Sequence, residues 1–171
     1  MNKTYNNVID TLACISLAHG LVNEVSTGDI ENIDTSGVVK YPLVHIVPTS
    51  VDAGVGALTF NFNILAMDLV KPDESNEQEV LSDTLIILTD ILAEYKNGKK
   101  LGGNLDNYLQ EDNDFTLEPF TERFDNVVSG WNCSYSITIP HTYNACDSFN
   151  WSYDEGTREF IDGGFNSCSK G

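Results

Sequence analysis

One segment constrains this chain more than any other. From Leu58 to Val70, the residues Leu58, Phe60, Phe62, Ile64 and Ala66 alternate with Thr59, Asn61 and Asn63. A period of two puts large apolar groups on one side and short polar groups on the other, which predicts a half-buried, paired β-strand. A turn signal, Asp52 to Gly56, precedes it, and Pro72 to Ser75 reads as a turn after it. The period then changes. Leu81, Leu85, Leu88, Leu92 and Tyr95 fall at helical spacing, with Ile87 and Ile91 widening the stripe. Ser75 or Asn76 can cap this helix, Glu77 and Glu79 suit its first turn, and Gly98 ends it. A stripe this wide fits a helix lying flat on a sheet.

The rest of the chain extends that frame. Thr4 to His19 reads as a helix, with Val8, Leu12, Ile15 and His19 on one stripe. Leu21 to Val25 is a short strand, and Ser26 to Gly37 a polar acidic loop. Val38 to Val47 is β-rich and punctuated by Pro42 and Pro48, which a strand start or a sheet edge tolerates best. Lys99 to Asp114 is polar, with a helical turn placed around Leu105 to Leu109. Phe115 to Phe124 and Val127 to Ile139 are the last two strands; in the second, Trp131, Cys133, Tyr135, Ile137 and Ile139 alternate with polar residues. The expected fold is α+β, a mainly antiparallel sheet with helices packed on one face, in the order α-β-β-β-α-β-β.

At 171 residues the chain suffices for one domain, assigned to residues 1–140. From His141 to Gly171 the aliphatic content falls away. Phe149, Trp151, Tyr153, Phe160 and Phe165 stand among Asn, Ser, Gly and Asp. Aromatics without a periodic aliphatic frame build no core of their own, so residues 141–171 read as an extended arm anchoring to another surface or wrapping back on its own domain.

Charge narrows the function. Nine Lys+Arg against 26 Asp+Glu leave −17 with His neutral, which argues against gripping DNA or an anionic membrane through a basic face. No stretch has the form of a secretory signal or a bilayer span, so the expectation is a soluble product of a cytoplasm with no membrane partner. Cys14, Cys133, Cys146 and Cys168 form no C-x-x-C pair and match no zinc spacing, although His141 lies between two of them. Reduced thiols are expected, with Cys14 on the buried face of its helix. Neither D-A-G-V-G-A-L at Asp52 nor G-K-K-L-G-G at Gly98 is a phosphate loop, and no G-x-S-x-G elbow is present. Paired carboxylates among Asp112, Asp114, Glu118, Glu122 and Asp125 arise readily by chance in so acidic a chain. No catalytic, metal-binding or cofactor-binding residue is assigned, and no cofactor.

A pattern of phrases carries further. Y-P-L-V-H-I-V-P-T-S at Tyr41 is followed by A-L-T-F-N-F-N-I-L-A-M-D-L-V at Ala57, then by the acidic helix S-N-E-Q-E-V-L-S-D-T-L-I-I-L-T-D-I-L from Ser75. F-T-L-E-P-F-T-E at Phe115 and S-G-W-N-C-S-Y-S-I-T-I-P at Ser129 close the unit. Over residues 1–140 this resembles the tail-terminator and tail-completion proteins of bacteriophages, including the ring or tail-stub proteins of crAss-like phages. The resemblance implies a non-enzymatic virion protein of the head-to-tail connector or tail. It implies a homo-oligomeric ring, often of six or twelve subunits, that touches other connector, portal or tail proteins while DNA passes through without specific binding. A lumen that repels phosphate suits that role, and the same charge opposes self-assembly, so subunit contacts must be apolar or strand-mediated. Candidate partner-binding residues are Tyr41 and His45 at the presumed edge strand, and Phe149, Trp151, Tyr153, Phe160 and Phe165 in the arm. Two other readings stay open: an acidic DNA mimic that inhibits a basic host factor, and a small hydrolase using Asp114 or Glu118.

Overall fold

The computed structural model describes residues 5–30, 33, 39–97, 109–110, 115–123, 127–141, 151–154 and 159–162. Two compact units emerge, residues 1–141 and 142–171. The first is α+β. Its helices are α1 (Tyr5–Leu17) and α2 (Glu77–Asn97), and its strands are β1 (Glu24–Thr27), β2 (Leu43–Gly54), β3 (Ala57–Leu69), β4 (Leu109–Gln110), β5 (Leu117–Arg123) and β6 (Val127–Pro140). Apart from the two-residue β4, the order is the expected α-β-β-β-α-β-β.

The alternating segment is the centre of the sheet, which runs β1-β2-β3-β6, with β4 and β5 both on the far side of β6. β3 pairs antiparallel with β2 and β6 along nearly its whole length. Phe60, Phe62, Ile64 and Ala66 face the helices and are buried with Val44, Ile46, Cys133, Tyr135, Ile137 and Ile139 from the flanking strands. Val8, Leu12 and Ile15 of α1, and Ile87, Leu88, Ile91, Leu92 and Tyr95 of α2, close that core. Each large apolar side chain so buried stabilises the fold by about 1.5–3 kcal/mol before entropy is counted.

The structure moves several boundaries, each for a local reason. β1 begins at Glu24 rather than Leu21 and runs parallel to β2, the one parallel pair in a sheet whose other pairs are antiparallel. β2 begins at Leu43, after the cis Tyr41–Pro42 peptide, and continues to Gly54, through the stretch expected as a turn. The turn itself shrinks to Val55 and Gly56; Gly56 has φ 79°, a backbone region open to glycine at no steric cost. Asn76 sits at the cap of α2, since Val80 N–H donates to its carbonyl. Its side chain turns back instead of capping: Lys71 N–H donates to Oδ1 at 2.7 Å, and Nδ2 donates to the Leu69 carbonyl. This ties the helix start to the end of β3.

Along its second half β3 is buried on both faces. Leu65 and Met67 point away from the helices and pack with Ile33, Leu43 and Val128, covered by Ile30, Val39, Tyr41, Val47 and Phe120. Alternation alone shows only the first face, because what covers the second arrives from the connection between β1 and β2. Gly130 of β6 marks the tightest strand contact: a Cβ there would lie 1.9 Å from the Ala66 carbonyl oxygen. Of the helical turn expected near Leu105, residues 101–108 lie outside the described residues, and Leu109 is in β4.

The second unit contains a two-stranded antiparallel ribbon, β7 (Trp151–Asp154) and β8 (Glu159–Asp162). This part of the expected extended arm is therefore hairpin-paired. The register sets Trp151 opposite Asp162 and Tyr153 opposite Phe160, so positions 151, 153, 160 and 162 share one face of the ribbon.

Candidate functional site

The chain's charge is unevenly distributed over the first unit. Between Tyr41 and Met67 the only Asp, Glu, Lys or Arg is Asp52, and Val127 to His141 has none. They make up β2, β6 and all of β3 except Asp68 and Leu69. By contrast α2 carries Glu77, Glu79, Asp83, Asp90 and Glu94 against a single Lys96, and Glu79, Asp83 and Asp90 are exposed. α2 is acidic, whereas β2, β3 and β6 carry only Asp52 and Asp68; the other charges of the sheet lie on its flanking strands, Glu24 on β1 and Glu118, Glu122 and Arg123 on β5.

Along the first half of β3 the sheet face turned away from the helices is polar, with Asp52 as its one acid, and its groups are bonded to one another. Thr59 and Thr138 hydroxyls pair at 2.8 Å. Asn61 Nδ2 donates to Ser50 Oγ at 3.0 Å and to Asp52 Oδ2 at 2.7 Å, while its Oδ1 accepts from Ser136 Oγ at 2.6 Å. Ser134 Oγ donates to Asn63 Oδ1 at 3.0 Å. Side chains so engaged order the surface and leave few unmet bonds for a small ligand.

The edge of this layer is open. β1 pairs with β2 only from Leu43 to Ile46. Among the described residues, no strand pairs with the outer side of β2 from Val47 to Gly54. Pro48, which has no N–H, and a register shift between Pro48 and Ser50 interrupt this edge. Both are devices that discourage indiscriminate strand addition. Ser50 to Gly54 then continue as regular, exposed strand. Beside them, on the helix side, lies a depression of about 250 Å³ lined by Tyr5, Pro48, Thr49, Ser50, Val51, Phe60, Asn61 and Phe62. Tyr5 and Phe60 rings form its wall, centroids 6.1 Å apart. Val51 is 49% exposed and Tyr5 41%. Desolvation against this wall pushes the Tyr5 phenol above its usual pKa.

The residues singled out from sequence divide between the two units. His45 is 1% exposed and faces inward: Nδ1 meets Ser26 Oγ at 2.7 Å and Nε2 meets the Gly28 carbonyl at 3.1 Å. Burial lowers its pKa below the usual 6.5, the nearby Gly28 and Asp29 groups opposing that shift. It fastens β1 to β2 and offers a partner no surface. Tyr41 is half-buried against the second core cluster, and Asn23 Nδ2 donates to its carbonyl. Trp151, Tyr153 and Phe160 lie in the ribbon, and Phe149 and Phe165 lie outside the described residues. Sequence reading placed the open edge at Tyr41 to Thr49, but β1 covers its first part, and the free part runs on to Gly54. The signal available was Pro48, which marks where pairing on the outer side stops.

Among the described residues no three His, Cys, Asp or Glu side chains group as metal ligands. Cys133 is buried, its thiol pushed up to about 11 by desolvation, while Cys14, expected on a buried face, is exposed. Glu118 is exposed on β5, and Asp114 lies outside the described residues. Among the described residues no helix is long and apolar enough to cross a membrane. No protein-family model matches the chain, and no curated protein matches it.

Proposed function

We propose that this chain is a structural virion protein, one subunit of a ring in a bacteriophage head-to-tail connector or tail. The observation that carries the reading is the contrast in charge between the acidic helix α2 and the sparsely charged strands β2, β3 and β6, with an open edge on β2. Subunits bearing −17 each associate only where the repulsion is weakest, and β2, β3 and β6 provide that surface. The exposed acids Glu79, Asp83 and Asp90 of α2 then face a channel through which DNA slides without adhering. The sequence resemblance to tail-terminator and tail-completion proteins points the same way, toward a non-enzymatic ring of six or twelve copies contacting portal, connector or tail proteins. The protein would be made in the bacterial cytoplasm and retained in the virion.

The test is quantitative mass spectrometry of purified particles of the phage that encodes the chain, normalised to the portal protein. A copy number that is a multiple of six supports the ring, and absence from particles overturns it. The exposed acids Glu79, Asp83 and Asp90 on one helix favour a second reading, an acidic DNA mimic that occupies a basic host factor. That reading predicts a monomer or dimer which competes with DNA for its partner, and it moves forward if particles lack the protein.

A further inference from the structure

The ribbon and the open edge are complementary. A two-stranded ribbon alone is marginally stable in water, and this one collects Trp151, Tyr153 and Phe160 at positions of one face. Among the described residues β7 and β8 pair only with each other, so each retains an outer edge. The first unit has the matching deficit: an edge of five residues, Ser50 to Gly54, unpaired among the described residues and beside an apolar depression of about 250 Å³. The free length suits a strand of four residues, the length of β7 and of β8. Pro48 and the register shift block pairing beyond it and so fix where such a strand must stop.

We infer that the C-terminal ribbon of one copy docks on the β2 edge of another copy, adding a strand along Ser50 to Gly54 and seating an aromatic side chain against Tyr5, Val51 and Phe60. The sparse charge of the edge selects a second copy as the occupant. The edge lies in the stretch whose only charged residue is Asp52, so it is where another molecule of the same sign approaches at least cost. The chain also leaves the first unit at this end of the sheet, where His141 N–H donates to the Gly56 carbonyl at 2.9 Å. Each copy thereby offers one edge and one ribbon. That is a heterologous contact, which closes into a ring if the rotation permits, and strand addition supplies its main-chain hydrogen bonds. The inference deepens the ring reading by naming the contact between subunits.

The full-length chain tests it by sedimentation velocity. One variant disables the edge, Val51→Lys, with Thr49→Arg at the exposed bulge as its second form. Another disables the ribbon, Trp151→Ser with Tyr153→Ser and Phe160→Ser. Retained urea midpoints establish that each variant folds. Wild type is expected to associate with rising concentration and each variant alone to stay monomeric. An equal mixture of edge and ribbon variants should form a dimer that grows no further, because one intact half of the contact survives on each partner. Wild type that stays monomeric up to about 1 mM overturns the inference. So do variants that associate like wild type, or a mixture that yields no dimer, as when each ribbon docks on its own copy. Particles carrying the protein in multiples of six, with no such complementation, overturn this contact and leave the ring reading standing. Complementation by a protein that particles lack does the reverse.

Discussion

Two buried tyrosines 5.1 Å apart make opposite contributions. The Tyr95 hydroxyl lies 2.6 Å from Ser16 Oγ and 3.0 Å from the Leu12 carbonyl, joining α2 to α1. The Tyr135 hydroxyl is as deeply buried and has no hydrogen-bond partner among the described residues. Burial raises the pKa of both phenols, so each remains a neutral donor at any pH of interest. A satisfied buried hydroxyl contributes about 1 kcal/mol, whereas an unsatisfied one costs about 1–3 kcal/mol in lost hydration. Tyr95→Phe is therefore expected to lower unfolding free energy by about 1 kcal/mol, and Tyr135→Phe to raise it by a similar amount. Urea denaturation reads both, and a destabilised Tyr135→Phe refutes the assignment. Sequence reading identified both residues as core positions from periodicity, but it could not separate their roles. Hydroxyl satisfaction depends on which element lies opposite, and Ser16 stands 79 positions from Tyr95.

At the scale of elements, the least self-evident join is β1 on β2, which holds only four residue pairs. His45 reinforces it as a neutral ring, Nε2–H donating to Gly28 and Nδ1 accepting from Ser26. Its folded pKa lies below the 6.5 of the free group, with desolvation as the main cause. Below 6.5 the unfolded chain takes up a proton that the folded one resists. Stability from this residue is thus present above that pH, falls as pH drops toward the depressed value, and levels beneath it. The loss of unfolding free energy between about pH 7 and pH 5 should be smaller in His45→Gln than in wild type. Equal slopes in the two proteins refute the role. Elements with an unbroken period, α1, α2, β3 and β6, were legible to within a few residues. β1 and the start of β2 were not, because Pro42, Pro48 and a polar connection obscure the alternation and only pairing defines their ends.

For the whole molecule, electrostatics and assembly are opposed. Subunits of −17 repel at low ionic strength, and salt shortens the range of that repulsion to about 10 Å at 0.1 M. Self-association through this edge, whose one charge is an acid, should therefore tighten several-fold as NaCl rises from about 0.05 to 0.5 M. A contact made of ion pairs would weaken instead, so sedimentation across that range distinguishes the two.

The α+β class, the two helices, the central strand and the acidic total follow from the sequence alone, since period and composition are local properties of the chain. Tertiary structure decided the rest. It buried His45, covered the first part of β2 with β1, and left Ser50 to Gly54 without a partner strand among the described residues. It also set the sparsely charged β2, β3 and β6 side by side and placed the acidic α2 in the other layer. An edge is free only relative to the strands that might have covered it, and that relation exists only once the chain has folded.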